Sequence, residues 1–571
     1  MSGIFGLVDP AGADGRALAS AARRTRFRGE PLVWAAGPVA LGVYVRDGDA
    51  ASLARSERAF TVADARVDAV SGVPVPRSRA GVWLLDSILS REGPEGLAGV
   101  AGDFALARWD AEQGRLTLSR DAFGLRPLVW ARRGRRMGFA SDPEILVCLG
   151  LASGELDRRA VAGYLALREL GGERTGFEEV RRVLGGRWLS LDLEGRVGEG
   201  RWFRPEDVAA ERRSAEEAAE ELAAAVISAT RSRVSDRPAA LLLSGGRDSG
   251  SVAVAMARAG VRATCLTQTF DPALGCSEEE PARRLAEAMG HRWVAVPAPD
   301  RITKAHLAAL PTASGTPLGF PAFPQALSLR EAVASAGAEV VLDGEGGEPL
   351  FAASPVAVLD FLRKGRLSAA AAAARGFHRR WIYPYPVVAK AVVRALLPAP
   401  LLGARERLRR PPPWVAGMVQ ADANQPPRSA RAELIGALLE AGGCPVAELW
   451  ERLFAEAGVE YASPLLDTRV VRSALSLPVE LRVPVPSPKP VLARALLGGF
   501  DATRRKARFT PYYLRLTAFV RGDFPELLGA EALSARRGYA LGDRIAAVAE
   551  ARWGPAPLPL VSLETWLRHT A

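Results

Sequence analysis

Two short segments of the 571-residue chain have residue types and spacing suited to phosphate chemistry. The first, Ser244-Gly245-Gly246-Arg247-Asp248-Ser249, follows the apolar run Ala239–Leu243 and opens a helix-favouring stretch, Ser249–Ala259, that Gly260 stops. Glycines let the backbone turn sharply, so successive N–H groups point into one concavity, and a helix N-terminus adds partial positive charge. Ser244 and Ser249 add hydroxyl donors. Such a loop suits pyrophosphate or the tail of a nucleotide triphosphate, although the GxxxxGK(S/T) pattern of a Walker A loop is absent. The second segment, Asp343-Gly344-Glu345-Gly346-Gly347-Glu348, follows the apolar run Glu339–Leu342. In a parallel sheet, ligands bind beyond the carboxyl ends of the strands, so the two turns can face one crevice. Asp248 and Glu348 would then offer two carboxylates to Mg2+ bridging phosphates, an all-oxygen arrangement. Alone, the first loop reads as a strand–turn–helix with glycine for geometry. With the second, nucleotide binding is the stronger reading.

The elements that must position these turns alternate strand and helix. After Ala239–Leu243 and Ser249–Ala259 come a second strand at Arg262–Thr269, a helix at Glu278–Met289 and the strand Glu339–Leu342, the pattern of a doubly wound parallel sheet. The first two hundred residues differ, with short β-like runs at Leu41–Val45, Phe104–Trp109, Arg115–Leu118 and Trp188–Leu191, the last followed by the turn signal Glu194-Gly195. Between the two patterns, Ser214 is a suitable N-cap for Ser214–Val226, with Glu216 and Glu217 in the first turn. We therefore divide the chain into domains at 1–207 and 208–571, the second mostly helical toward its end, with a basic helical segment over 361–414.

Composition bounds the answer. Hydrophobic residues at 48% and charged residues at 24% exclude a wholly disordered or fibrous chain. No stretch of about 18 uncharged apolar residues occurs, so no stable membrane insertion is expected. Met1–Pro10 lacks the basic and apolar regions of a secretory signal, which places the expected location in the cytoplasm. Cys148, Cys265, Cys276 and Cys444 form no CxxC pair and read as small buried hydrophobes. Between Arg363 and Arg410 stand twelve basic residues and one acidic residue, Glu406, so this segment carries the entire formal net charge of +11. The rest is formally neutral, which rules out a general nucleic-acid reading and leaves one local field that attracts acidic partners. Its apolar residues, Val387 to Leu402, read as a face packed on the core, as a membrane-surface helix or as a docking surface for a precursor or its binding partner.

With both turns in hand, the chain resembles the asparagine synthetase B family across nearly its whole length. The SGGRDS loop is similar to that family's SGGLDS signature, with Arg247 in place of leucine, and Asp343–Phe351 (DGEGGEPLF) to its SGEGADELF. Matching pieces run from Met1–Gly6 through Gly102–Ala105, Arg120–Leu128 and Phe139–Ser141 to Gly458–Glu460, Pro464–Asp467, Lys489–Leu492 and Arg504–Phe509. The resemblance implies an N-terminal class II glutamine amidotransferase-like domain of the αββα N-terminal-nucleophile type. It implies a C-terminal ATP-pyrophosphatase synthetase domain with helical additions. Two departures bear on function. Ser2 stands where glutamine-using members carry the cysteine nucleophile, and Asp64-Ala65-Arg66 stands where they carry a glutamine-binding NGE tripeptide. A serine with an N-terminal amine as base can act as a nucleophile. Loss of thiolate and amide-recognition residues together nevertheless argues against glutamine hydrolysis, so the amine must come from elsewhere.

Relatives with this loss include β-lactam synthetases and the macrocyclases that close the isopeptide ring of lasso peptides. The first place a tyrosine where this chain has Glu345, whereas the resemblance to lasso cyclases keeps a carboxylate there. The implied chemistry is adenylation of an Asp or Glu side chain of a leader-free peptide by Mg-ATP, then attack by the peptide's N-terminal amine, with a leader-binding protein and a leader peptidase as partners. Small-molecule amide or β-lactam closure, and an inactive scaffold, are the alternatives. The resemblance implies that Ser244, Gly245, Gly246, Asp248 and Ser249 hold pyrophosphate, that Asp248 and Glu348 bind Mg2+, and that Leu243, Thr267 and Gly344 contact adenine or ribose. Glu345 would position or deprotonate the amine, and Lys506 would stabilise the adenylate and developing oxyanion, with Lys489 structural or phosphate-facing. Glu448 reads either as the acidic partner of the base, as in β-lactam synthetases, or as a solvent-facing helix carboxylate.

Overall fold

In the computed structural model, the described residues are 3–45, 53–76, 81–166, 172–314, 316–319, 322–352, 354–380, 385–396, 427–441, 445–483, 489–498, 509–528, 532–537, 539–540 and 557–570. The N-terminal region is built on two antiparallel sheets of six and seven strands. The central strand Ile4–Val8 of the first is buried along its whole length, and in Ala59–Val70 of the second only Ala65 and Val70 are less than buried. Such strands need cover on both sides, and both receive it. Ile4, Leu41, Val62, Ala105 and Phe139 fill the space between the sheets. Helix Gly81–Glu92 presents Val82, Leu85 and Ile88 to the outer face of the second sheet, and Gly15–Ala22 presents Leu18 and Ala21 to that of the first. The result is the expected four-layer αββα arrangement.

The C-terminal region is organised on a five-stranded parallel sheet. Its strands are β1 (Ala239–Leu242), β2 (Ala263–Thr269), β3 (Arg292–Pro297), β4 (Val340–Leu342) and β5 (Glu460–Ala462), in the spatial order β3-β2-β1-β4-β5. Helix α1 (Arg247–Arg258) follows β1, and α2 (Glu279–Ala288) follows β2. The order reverses direction at β1, so the turns after β1 and β4 flank a topological switch point, where α/β sheets bind ligands. Ser214 caps the helix Ala215–Val234 in a full capping box with Glu217. Among the described residues no helix is long and apolar enough to cross a membrane. Cys265 and Cys276 are buried, but Cys148 is exposed, correcting the expectation of burial, because it ends the short helix Pro143–Cys148 on its outer side. Cys444 lies outside the described residues.

Buried charge joins the two regions. Side chains two apart on a strand share a face, so Asp64, Arg66 and Asp68 continue the inter-sheet face of Phe60 and Val62. Arg66 is the cross-strand partner of Asp103 and donates to it at 2.6 Å. From the C-terminal side, Arg233 reaches Asp103 at 2.7 Å and Asp467 at 2.6 Å, while Glu460 accepts from Arg66, Arg126 and Arg237. A second cluster pairs Arg28 with Asp142 at 2.6 Å and with both oxygens of Glu451 at 2.8 Å. Burial alone would raise the Glu460 and Asp467 carboxyls. The guanidiniums around them outweigh it and hold both below the ordinary carboxylate range.

Removing one member of such a group leaves its partners charged and dry, at a cost of about 3–5 kcal/mol. Arg233→Met should therefore lower the chemical-denaturation stability of the full chain by about that amount. The depressed carboxyls also set a pH dependence. Their stabilisation is present above the unfolded carboxyl pKa of about 4 and is lost as pH falls through the lower folded values, so the melting temperature should drop steeply on acidification below about pH 4.5.

Candidate active site

The first turn is set by its own hydroxyls. The Ser244 N–H donates to Ser249 Oγ at 3.1 Å, the two hydroxyls lie 3.0 Å apart, and the Gly246 N–H donates to Ser244 Oγ at 3.2 Å. Gly246 then caps α1 without a side-chain acceptor. The second turn folds on Asp343, whose Oδ1 accepts from the Glu345 N–H at 3.1 Å. Asp343 is buried and also accepts the hydroxyls of Tyr461 at 2.6 Å and Ser463 at 2.8 Å. Burial, then the charges of Asp343 and Glu345, push the Tyr461 hydroxyl well above its usual range. Tyr461 therefore serves Asp343 as a donor.

The two turns touch through glycine. A Cβ on Gly344 would lie 2.5 Å from the Ser249 nitrogen, and one on Gly347 would lie 2.2 Å from Asp248 Cγ. Only a hydrogen fits at either place. That approach brings the two acidic side chains together around Lys489, whose Nζ donates to both Asp248 oxygens, at 2.8 and 2.6 Å, and to Glu348 at 3.0 Å. Lys489 has a left-handed backbone, φ +52°, one of three non-glycine residues with positive φ among the described residues. Such a conformation costs about 1–2 kcal/mol and needs support from its surroundings. Two carboxylates converging on one positive charge form an oxygen donor pair of the kind that suits Mg2+. Among the described residues, no group of three or more His, Cys, Asp or Glu is arranged for a metal.

Of the other residues singled out from the sequence, Leu243 and Thr267 are buried at the carboxyl ends of β1 and β2. The Leu243 N–H is bonded to the Leu266 carbonyl, and the Thr267 hydroxyl accepts the Trp293 indole N–H at 3.0 Å. Lys506 and Ser2 lie outside the described residues. Glu448 is neither solvent-facing nor free to serve a base. Its carboxylate accepts from Arg120 at 2.9 Å and Arg182 at 2.7 Å, and it lines a cleft with Arg28, Asp142 and Arg452. Burial would raise this carboxyl, but the two arginines outweigh it and hold it below its ordinary value. Arg66, in the position expected for glutamine recognition, is buried and engaged by Asp68, Asp103 and Glu460. Asp343, Tyr461 and Ser463 were not singled out in sequence, although Asp343 opens the DGEGGE turn.

Residues 217–568, more than half of the chain, match the family model described as asparagine synthase. The chain belongs to the asparagine synthase family. Residues 78–203 match a glutamine amidotransferase domain, in keeping with the αββα layers of this family member. The protein is similar to the amidase chyE of Penicillium rubens, 29% identical over 269 residues that cover 44% of this chain and 39% of that one. It is also similar to a putative glutamine-hydrolyzing asparagine synthetase of Mycobacterium tuberculosis, 31% identical over 271 residues, 45% of this chain and 40% of that one. The matched region thus spans about two-fifths of the length of these curated relatives.

Gly347→Ala tests the contact between the turns in this asparagine synthase-type fold. The new methyl cannot coexist with Asp248 in place, so binding of Mg-ATP, read by equilibrium dialysis, should be lost while far-UV circular dichroism is retained. Binding at the wild-type level would refute the geometry.

Proposed function

We propose that this protein is an ATP-dependent, AMP-forming amide ligase, and specifically a lasso peptide cyclase that joins an Asp or Glu side chain of a leader-free peptide to that peptide's N-terminal amine. The observation that carries the ligase reading is the convergence of Asp248 and Glu348 on one cationic centre beside the Ser244–Ser249 loop, at the switch point of a parallel sheet. A carboxylate will not condense directly with an amine, because its leaving group would be oxide. Attack of the carboxylate oxygen on the α-phosphorus of ATP releases pyrophosphate and forms an acyl adenylate, from which the amine displaces AMP, a good leaving group. Asp248 and Glu348 would hold Mg2+, which offsets phosphate charge when bound. The loop N–H groups and the Ser244 and Ser249 hydroxyls receive pyrophosphate, and Lys489, bonded to both carboxylates, would add positive charge beside the phosphates. Glu345 projects from the same turn and takes the amine. An α-amino group with a pKa of about 7.7–8.0 already has an appreciable neutral fraction near pH 7.5, so modest base assistance is enough. Lys506 would stabilise the oxyanion that develops on the acyl oxygen as the amine attacks the acyl carbon.

Two features favour a peptide amine over glutamine-derived ammonia. Serine stands at position 2 in place of a cysteine nucleophile, and Arg66 is committed to buried carboxylates at the site expected for glutamine recognition. A carboxylate at Glu345, where β-lactam synthetases carry tyrosine, favours the macrocyclase reading, and the basic segment from Arg363 favours an acidic or peptidic partner over a small metabolite.

Incubation with Mg-ATP and a leader-free core peptide should yield one AMP and a product lighter by one water, by mass spectrometry. Asp248→Ala and Lys506→Ala should each abolish both. AMP formed only with a small amino acid would replace the peptide reading by small-molecule closure, and no nucleotide turnover with either substrate would refute the ligase itself.

A further inference from the structure

β5 is three residues long and lies at the edge of its sheet, yet it reaches both the seam between the two regions and the turn that carries Glu345 and Glu348. At its first residue, Glu460 is gripped by Arg66 at 3.2 Å and by Arg126, both from the N-terminal region, and by Arg237 at 2.7 Å. Its backbone pairs with β4 in the register Glu460↔Val340, Tyr461↔Val341 and Ala462↔Leu342. At its far end the hydroxyls of Tyr461 and Ser463 hold Asp343, which in turn fixes the Glu345 N–H. Glu460, Tyr461, Ser463 and Asp343 are all buried.

So short an edge strand has little ladder of its own to define its register. A slip of one residue would turn its side chains to the opposite face and leave the guanidiniums of Arg66 and Arg126 without Glu460. The arginine pocket therefore pins the register, and the register determines where two hydroxyls meet Asp343. We propose that β5 is a strut through which the N-terminal region, lacking the glutamine-hydrolysis residues, holds the Asp343–Glu348 turn in its ligand-receiving shape. Glu460 and Arg126 are its anchors. Tyr461 and Ser463 are positioning residues. The consequence for catalysis rests on the nucleotide-site reading above, whereas the mechanical link does not.

The test is amide hydrogen exchange by mass spectrometry on the full, ligand-free chain, comparing residues 343–348 with β2 as internal reference. Glu460→Gln keeps the shape of the anchor and removes its charge. Arg126→Met perturbs the same bond from the other side, while leaving Arg66 and Arg237 on Glu460, and covers the case in which Glu460→Gln fails to fold. Tyr461→Phe removes one donor to Asp343. All three should speed exchange in 343–348 by about fivefold or more relative to β2. Unchanged exchange in the two anchor variants would overturn the strut, because the turn would then be held locally. A Mg-ATP titration of the same proteins separates the two ideas. An approximately tenfold weaker affinity in the variants is expected from a misplaced turn. Faster exchange with unchanged affinity would overturn the strut's role in ligand reception, and a wild-type chain that binds no Mg-ATP would refute the nucleotide reading while the exchange data still decide the strut.

Discussion

The contact between two backbone turns at one end of a parallel sheet is the constraint on which the rest of the molecule depends. β1 and β4 are neighbours, and the chain leaves both in the same direction, so the turns that follow must either collide or interlock. They interlock because Gly344 and Gly347 present hydrogen where any side chain would strike Ser249 or Asp248. Asp248 and Glu348 then share one ammonium group, and an acidic pair is assembled from residues one hundred positions apart. The sheet makes the neighbours, glycine permits the approach, and charge defines what can bind.

The N-terminal region bears on the same contact from behind. Buried ion pairs rarely add net stability over apolar packing, since desolvation consumes most of the Coulomb gain. Here they link distant parts of the chain: Arg66, Asp103 and Arg126 on one side, Arg233, Arg237, Glu460 and Asp467 on the other. An apolar seam of similar area could slide, whereas carboxylates matched to guanidinium forks allow one alignment. With Arg66 and Arg126 committed to these carboxylates, the N-terminal region is suited to serve as a fixed support.

Much of the arrangement was legible in the sequence. The alternation of apolar runs with helix-favouring stretches marked β1, β2, β4, α1 and α2 to within a residue or two, and the pairing of two glycine-rich turns at strand ends pointed to one crevice, which neither turn alone would have done. The surroundings of Glu448 were not legible in the same way. Helical position showed that the carboxylate projects from its helix but not what it faces, and Arg120 and Arg182 arrive from two strands more than 250 residues away. The support behind the turn was also illegible. Glu460 and Tyr461 occupy a strand of three residues with Ser463 just beyond it, and nothing local indicates that one carboxylate meets three guanidiniums from elsewhere. Cys148 was misjudged for a similar reason, since residue type predicts average burial and the end of a short helix is not an average place.

The central claim is that this crevice activates a carboxylate through adenylation. Exchange of labelled pyrophosphate into ATP measures that half-reaction alone, and a core peptide acetylated at its N-terminus cannot proceed to ring closure. The wild-type protein should catalyse peptide-dependent exchange with the acetylated peptide, and Asp248→Ala should not. Formation of ADP and phosphate in place of exchange, or exchange that persists without Asp248, would contradict the account.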